Sequence, residues 1–382
     1  MADIPNTTPR RDPVVALFLP RSEGGHPRYG LEVADAIAAQ SSAKVYYLCG
    51  EDLNSLGPRD HLTLTPIFPR LKLRSEFRNA LHWKASRILH YTRRELLLIR
   101  WLRSHPEVDV LYLQEPITPW MMPLIARIAR RENVSLAMTV HNLRPHNAGS
   151  RIGLREWAYQ RRFRHLDRVF FHRGLSIAAV QEGTGLPLDA LVEIEHGLFI
   201  EDVDPPSLSD NPRLVLIGTL SPYKGVTEAV EAMKLLPHLQ LDIYGRVDDQ
   251  EYIDACREGS PANVGWHLGF VDDAEIAEVF KGSVAALLPY RELAAQSGVL
   301  HLALGCGRPV VVTPAGAMPS VVERFECGVV ASEATPAAIT RAISELLEPD
   351  RYIDALAGVA KAKSELSWSN AARATLEGLR SL

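Results

Sequence analysis

The stretch that most constrains the fold is residues 284–313, VAALLPYRELAAQSGVLHLALGCGRPVVVT, in which two apolar runs flank a polar loop and a short helical segment. Each apolar run, 284–289 and 310–313, is uninterrupted, as in parallel strands that are covered on both faces. The stretch therefore predicts a strand, a loop, a helix and a second parallel strand, which is the repeating unit of an α/β fold.

The polar loop of this stretch carries a candidate anion site. Gln296, Ser297 and Gly298 stand where the helix begins, and the backbone N–H groups of a first helical turn have no partner within the helix. A phosphate group is the expected ligand. The alternative is structural, with Ser297 as a plain N-cap and Gly298 allowing close packing.

The same alternation extends over the chain. Strands are predicted at 14–20, 44–49, 109–114, 136–140, 168–171, 192–195, 213–217, 239–244, 284–289, 310–313 and 328–330, and helices around 31–40, 120–132, 226–235 and 274–281. Residues 201–213 are acidic and rich in proline and serine, which is typical of a linker. We therefore predict two Rossmann-like domains, 1–200 and 213–364, with linker 201–212 and a C-terminal helix, about 365–382, that packs back on the first domain.

Composition describes a globular protein of 382 residues, with 46% apolar and 23% charged residues. No apolar run has transmembrane length and no secretory signal is visible, so we expect a cytoplasmic protein. The four cysteines are far apart and form no C-x-x-C pair, which argues against a disulfide framework and against a zinc site. The histidines show no helical metal pair, so no metal is expected.

Charge is distributed unevenly. Residues 1–175 carry 27 Lys and Arg against 16 Asp and Glu, whereas the remainder carries 15 against 30. The segment Arg70–Arg103 alone holds ten cations with two carboxylates, interleaved with Trp83 and Trp101. This mixture predicts that the first half contacts an anionic membrane surface or a phosphorylated acceptor. The alternative is a solvated helix face. No nucleic-acid motif accompanies the charge, so nucleic acid is not expected.

Loops that follow predicted strands supply the remaining candidates. Gly24 and Gly25 follow the first strand and His141 follows another, at the edge where doubly wound sheets bind ligands. The loop 218–225, GTLSPYKG, lacks the G-K-[ST] of a nucleotide-triphosphate loop, but its Lys224 is a candidate phosphate cation. The alternatives are a flexible glycine turn and a structural histidine. The D-x-D of Asp202 to Asp204 lies in the linker and is interpreted as solvated charge.

Three sequence motifs occur together in the chain: TVHNLRPH at 139–146, LIGTLSPYKGV at 216–226, and PY with QSGVLHLALGCGRPVVVTPAG at 289–316. Their order and spacing resemble the GT-B retaining glycosyltransferases that use nucleotide sugars, especially the family 4-like members that build polysaccharides and glycolipids. The resemblance implies an α/β fold of two Rossmann-like doubly wound domains facing each other across a cleft. It also implies transfer of a hexosyl-type sugar from a UDP- or GDP-linked donor to a glycan or lipid-linked acceptor, without a metal, at the inner face of a membrane.

The resemblance also assigns site residues. It gives catalytic roles to His141 and Lys224, with His141 beside the transferred sugar. Donor-binding positions are Gly24, Gly25, Thr219, Gly245, Arg246, Phe270, Val271, Gln296, Ser297 and Gly298.

Three positions depart from the family pattern. Thr219 stands where the family has an arginine, and Ala294 and Leu302 stand where it has two glutamates. These departures leave inversion possible, and they leave open a non-catalytic GT-B partner that binds a nucleotide sugar or another transferase. A nicotinamide oxidoreductase is not favoured, because no G-x-G-x-x-G fingerprint is present.

Overall fold

The computed structural model describes residues 11–20, 25–51, 61–69, 79–141, 160–204, 206–208, 211–292 and 296–382. The chain divides into two compact units. Unit 1 comprises Met1–His172, Ser176–Glu195 and Trp368–Leu382, and unit 2 comprises Arg173–Leu175 and His196–Ser367.

The described strands and helices follow one another in α/β order. The strands are β1 (Val15–Phe18), β2 (Val45–Gly50), β3 (Leu62–Phe68), β4 (Val110–Leu113), β5 (Ser135–Val140), β6 (Arg168–His172), β7 (Leu191–Ile194), β8 (Arg213–Ile217), β9 (Gln240–Gly245), β10 (Val264–Leu268), β11 (Ala285–Leu288), β12 (Val310–Val312) and β13 (Gly328–Val330). The helices are α1 (Gly25–Ala39), α2 (Ala80–Ser104), α3 (Met122–Arg131), α4 (Ile177–Thr184), α5 (Val226–Lys234), α6 (Gln250–Glu258), α7 (Ile276–Phe280), α8 (Gly298–Gly305), α9 (Met318–Phe325), α10 (Pro336–Leu346), α11 (Pro349–Glu365) and α12 (Trp368–Arg380).

Unit 1 contains a seven-stranded sheet in the order β3-β2-β1-β4-β5-β6-β7. All its neighbouring strands pair in parallel. The central strands β1 and β4 are buried along their whole length, which explains their unbroken apolar sequences. Strand order reverses at β1, which pairs with both β2 and β4, so the sheet is doubly wound with a switch point between β1 and β4.

The C-terminal helix α12 packs against α1 and β7 of unit 1. Gln40, which directly follows α1, donates its side-chain N–H to the carbonyl of Ser369 at 2.8 Å. Arg380 donates to the carboxylate of Asp12 at 2.6 Å. Gly378 lies so close to Phe170 that a Cβ would stand 2.6 Å from the ring, so a larger residue does not fit there.

Unit 2 contains a six-stranded parallel sheet in the order β10-β9-β8-β11-β12-β13. Its two faces carry separate apolar cores, because successive side chains of a strand point to opposite faces. In β8, Leu214 and Leu216 belong to one core, and Val215 and Ile217 belong to the other. The α/β prediction with two parallel sheets is thereby confirmed.

Several details differ from the prediction. Helix α1 begins at Gly25 and not near Leu31, because the segment with Pro27 forms its first turn. Strand β3 was missed because it contains Pro66 and is half-exposed at the edge of its sheet. Helix α6 was missed because its sequence, QEYIDACRE, is mostly polar and buries only Ile253 and Cys256.

The four cysteines are buried free thiols, as predicted. In the part of the chain that the structure describes, no helix combines the length and the apolar character needed to cross a membrane.

Candidate functional site

The candidate site of unit 2 lies at the switch point of its sheet. Strand β8 pairs with β9 on one side and with β11 on the other, so the connections after β8 and β11 diverge. Open α/β sheets bind ligands at the carboxyl ends of such a strand pair. The loop 218–225 follows β8, and Pro289 to Ser297 follow β11, so both predicted phosphate loops meet at this point.

The turn that carries Lys224 is fixed by a close backbone approach. Gly225 has φ +69°, and a Cβ there would stand 1.8 Å from the carbonyl oxygen of Pro289. The backbone N–H of Arg291 donates to the carbonyl of Tyr223 at 2.8 Å. A single 3-10 turn begins at Pro222, ends at Lys224 and precedes α5. The position of Lys224 is therefore set by the end of β11 as well as by its own loop.

Lys224 is a buried cation, with 9% of its surface exposed. Its Nζ donates to the hydroxyl of Tyr290 at 2.6 Å. Among the residues that the structure describes, no carboxylate forms an ion pair with this ammonium. Burial of a charge without a counter-charge is costly, so the site favours an anionic ligand.

Ser297 connects this lysine to the N-terminus of α8. It is the N-cap of the helix, and its Oγ accepts from the backbone N–H of Leu300 at 3.4 Å. The Oγ also lies 3.2 Å from the hydroxyl of Tyr290. The structural interpretation of Ser297 as an N-cap is thus correct. It does not exclude the anion site, because the backbone N–H groups of Gly298 and Val299 donate to no group in the part of the chain that the structure describes.

Two glycines leave room in front of these groups. A Cβ at Gly298 would meet no atom within 4 Å. Gly218 has φ +133°, and a Cβ there would stand 4.0 Å from Nζ of Lys224 and 3.5 Å from Cγ2 of Val299. A side chain at position 218 would therefore extend into the space beside the ammonium and the first turn of α8.

The predicted nucleoside positions lie on the adjacent loops. The backbone N–H of Gly218 donates to the carbonyl of Tyr244 at 3.1 Å, and that of Gly269 donates to the carbonyl of Gly245 at 2.9 Å. A Cβ at Gly245 would stand 1.7 Å from the carbonyl oxygen of Gly218, so Gly245 is required for backbone packing. The loops after β8, β9 and β10 thereby form one continuous edge.

Side chains on this edge are mostly exposed. The side chain of Arg246 is exposed and forms no hydrogen bond with any residue that the structure describes, although its backbone carbonyl accepts from the N–H of Leu220. Phe270 is 61% exposed. Val271 is half-buried against the core, and Thr219 is exposed. Gln296 donates to the backbone carbonyl of Arg173. These positions follow the neighbouring strands β10, β9, β8 and β11, and their predicted contacts with a donor stay predictions.

In unit 1, His141 directly follows β5, as predicted. Its Nε2 lies 3.3 Å from Oε1 of Gln114, which follows β4. The ring of Tyr29 meets the imidazole edge to face at 4.8 Å between centroids. Gly25 is the first residue of α1, whereas Gly24 lies outside the described residues. His141 is therefore held at the carboxyl edge of its sheet.

The basic segment of unit 1 differs in part from the prediction. Residues 70–78 of this segment lie outside the described residues. The same holds for Ala294, one of the three positions that depart from the family pattern. In α2, Trp101 is buried and stacks on His105 at 4.0 Å, so the expectation that it anchors at an interface is wrong. Arg94 is also buried, with its guanidinium 3.3 Å from the carboxylate of Glu115. Helical periodicity did not reveal which side of α2 packs on the sheet.

The solved structures that resemble the chain share this architecture. HepE of Anabaena, in complex with UDP and glucose, has a TM-score of 0.71 at 16% identity and covers 97% of this chain and 100% of its own. Sucrose-phosphate synthase of Thermosynechococcus elongatus has a TM-score of 0.74 at 15% identity, covering 97% and 99%. The fold is GT-B. WaaG, a glycosyltransferase involved in lipopolysaccharide biosynthesis, matches with a TM-score of 0.66 at 14% identity, covering 95% and 99%.

A sequence match complements the fold. Residues 211–349 match the family model described as glycosyl transferases group 1. This range contains Lys224, Tyr290 and Ser297, and hence the whole candidate anion site of the GT-B chain. A comparison with the curated proteins gives no match. Among the described residues, no group of three or more His, Cys, Asp or Glu side chains is arranged to hold a metal ion.

Sequence reasoning missed three residues of these clusters. Tyr290 directly follows the predicted strand 284–289 and was given no role in the site, although its hydroxyl contacts both Lys224 and Ser297. Gly218 also directly follows a predicted strand, and Gln114 is the last residue of another. A search for polar or glycine residues at every predicted strand end would have found all three.

Proposed function

We propose that this chain is a glycosyltransferase that transfers a sugar from a nucleotide diphosphate donor to an acceptor in polysaccharide or glycolipid biosynthesis. The observation that carries the proposal is the buried Lys224 ammonium beside the N-terminus of α8, inside the range matched by the glycosyl transferases group 1 model. The GT-B fold supports it, and HepE, which shares that fold, was solved with UDP-glucose.

The chemistry follows from where charge develops. When the bond between the sugar and the diphosphate breaks, negative charge grows on the leaving phosphate. The ammonium of Lys224 and the first-turn N–H groups at Gly298 are fixed donors for that charge. Interactions that strengthen in the transition state raise turnover more than they raise ground-state affinity. We propose that these donors serve without a metal.

The donor is proposed to be a UDP- or GDP-linked hexose. Its nucleoside would lie along the edge formed by Gly245, Arg246, Phe270 and Val271, where Phe270 offers an exposed ring. Arg246 is proposed to replace in part the arginine that is absent at Thr219, because its exposed guanidinium has no partner among the described residues. Arg246→Ala should weaken UDP or GDP binding. A nucleotide complex in which Arg246 contacts only solvent would remove this role.

Retention of the anomeric configuration is proposed from the resemblance, with His141 beside the transferred sugar. The configuration of the first-formed product, followed by nuclear magnetic resonance, decides between retention and inversion. His141→Ala is expected to reduce turnover while unit 1 remains folded.

The acceptor is proposed to be lipid-linked and reached at an anionic membrane surface, on the cytoplasmic side. Exposed apolar side chains on α2 and at the start of α3 lie among exposed cations, and the two helices pack against each other. The apolar members are Ile88, Leu89, Leu96, Trp120 and Leu124, and the cations are Lys84, Arg93, Arg100, Arg127, Arg130 and Arg131. Glu95 is the one carboxylate of α2, and it is buried. Such a surface complements an anionic interface.

Vesicle flotation tests the membrane proposal. Replacing Lys84, Arg93 and Arg100 by Gln removes three charges, each worth about 1 kcal/mol at an anionic surface, so partitioning should fall by roughly a hundredfold. The control replaces three exposed lysines of unit 2 by Gln: Lys234, Lys281 and Lys361. Equal flotation of the two triple variants would show that this surface is only a solvated helix face.

Turnover and binding together test the transferase proposal. A donor present at about 100 times its Kd should stabilise the protein by about 2.7 kcal/mol, so a panel of UDP- and GDP-sugars identifies the base and sugar by thermal shift. With that donor, Lys224→Ala should lower turnover by about a hundredfold, whereas Lys234→Ala, at an exposed lysine paired with Glu231, should not. Donor binding without hydrolysis or transfer to any acceptor would favour the alternative hypothesis, in which the chain is a non-catalytic GT-B partner of another transferase.

A further inference from the structure

We propose that Tyr290 is a positioning residue that fixes Lys224 and directs the hydroxyl of Ser297 toward the bound diphosphate. The inference rests on the proposed function, because it concerns the same anion site. It assigns a role to a side chain that links two predicted phosphate contacts, which lie 73 residues apart in sequence between positions 224 and 297.

The geometry places the Tyr290 hydroxyl between the two groups. It accepts from Nζ of Lys224 at 2.6 Å and lies 3.2 Å from Oγ of Ser297. All three side chains are buried, with 9%, 2% and 4% exposure for Lys224, Tyr290 and Ser297 respectively. The lysine ammonium has this hydroxyl as its hydrogen-bond acceptor among the described residues, and its Nζ also lies 3.8 Å from the centroid of the Tyr290 ring. Its position therefore depends on Tyr290, and Tyr290→Phe removes the hydroxyl part of that dependence.

The protons of the cluster can be assigned from its donors. An ammonium only donates, so the phenol oxygen of Tyr290 accepts from Lys224 and is polarised by its charge. A polarised phenol is the better donor, so we assign its proton to the hydrogen bond with Oγ of Ser297. That oxygen already accepts from the N–H of Leu300 at 3.4 Å. With this assignment the Ser297 proton is left to donate to a ligand.

The consequence is a cluster that presents donors and no competing carboxylate. The ammonium keeps two N–H groups beyond the one given to Tyr290. A neutral phenol holds the lysine without cancelling its charge, whereas a glutamate in that place would form an ion pair and weaken its attraction for phosphate. The tyrosine hydroxyl therefore positions the cation at full charge, at a site where the first-turn N–H groups of α8 also point.

The competing explanation is that Tyr290 is only a core residue, since its ring belongs to one apolar core of unit 2. Tyr290→Phe separates the two roles, because it keeps the ring and removes the hydroxyl. Tyr352→Phe is the matched control. Tyr352 is a buried tyrosine of unit 2 whose hydroxyl donates to the carbonyl of Val284 at 2.8 Å, and it contacts none of the site residues.

The experiment is a double-mutant cycle on binding of UDP, GDP and inorganic pyrophosphate, measured by calorimetry on the full chain. Tyr290→Phe should weaken the binding of the nucleotide that the wild type binds by about tenfold. In a Lys224→Ala background the same change should have a smaller effect, because the hydroxyl can then act only through Ser297. Tyr352→Phe should leave affinity unchanged in both backgrounds.

Turnover is a second measurement, and a purely structural role of Tyr290 would not change the balance between kcat and KM. Since the charge on the diphosphate grows in the transition state, Tyr290→Phe should lower kcat more than it raises KM for the donor. Equal losses from Tyr290→Phe in the wild-type and Lys224→Ala backgrounds would overturn the positioning role while leaving the proposed function intact. Failure of the wild type to bind UDP, GDP and pyrophosphate would overturn the proposed function, and this inference with it.

Discussion

Gly225 offers a direct perturbation of the site, because its substitution should displace Lys224 without touching it. A Cβ at this position would stand 1.8 Å from the carbonyl oxygen of Pro289, whereas real Cβ contacts are essentially never shorter than 3.0 Å. Gly225→Ala therefore requires the turn or the end of β11 to move by about an ångström. The left-handed φ of +69° adds a further cost of about 1–2 kcal/mol for any residue with a Cβ.

A shift of that size would break the 2.6 Å hydrogen bond between Lys224 and Tyr290. We expect Gly225→Ala to lower the free energy of unfolding by about 3 kcal/mol, from backbone strain and overpacking together. Misplacement of a reacting group by about 1 Å can reduce turnover by roughly a hundredfold. Urea unfolding and donor turnover measure the two effects separately.

Gly282→Ala is the matched control, since Gly282 has φ +68° in the same unit and its Cβ would meet no atom within 4 Å. It should show the backbone strain alone, about 1–2 kcal/mol, with normal turnover. If Gly225→Ala matches Gly282→Ala in both stability and turnover, then the close approach to Pro289 does not position Lys224, and the reasoning is refuted.

Three further predictions concern buried polar groups. Arg308 is buried and donates to the carbonyls of Cys306, Asp204 and Phe280, so Arg308→Leu should lower the unfolding free energy by about 3 kcal/mol without changing nucleotide affinity; an unchanged urea midpoint would contradict this. Burial raises the pKa of the Cys327 thiol to about 12, so at pH 8 it should react with a disulfide reagent only after unfolding, and rapid labelling of this residue in the folded chain would contradict its burial. Burial also raises the pKa of Glu95 above 4.5, so its stabilising contribution is present below that pH and is lost as pH rises through the raised pKa; Glu95→Gln should flatten this part of the stability profile, and an unchanged slope would contradict it.

The sequence was sufficient for the central strands of both sheets, because these strands are buried along their length. Val310–Val312 and Gly328–Val330 read as short apolar runs between turn residues, and the structure has them as β12 and β13. Strand β3 could not be recognised in the same way, because its half-exposed, proline-containing sequence resembles a loop. Apolar periodicity therefore finds central strands of such sheets and loses edge strands.

The site was predicted only in part, for a different reason. Ser297 and Lys224 stand beside glycines in loops, and a phosphate role follows from local sequence. Tyr290 gains its role from a contact with Lys224 in the loop after the neighbouring strand β8, and its position at a strand end is the local feature that distinguishes it from a core tyrosine. Likewise, the burial of Arg94 and Trp101 depends on which face of α2 meets the sheet, and an evenly basic and aromatic helix does not reveal this.

The most direct test of the central claim is a crystal structure of the chain with UDP or GDP, whichever binds more tightly. The account predicts that the terminal phosphate lies within about 3 Å of Nζ of Lys224 and of a first-turn N–H group of α8. The Ser297 hydroxyl should donate to the same phosphate. A nucleotide bound with its phosphates away from both Lys224 and Gly298 would contradict the assignment of this site.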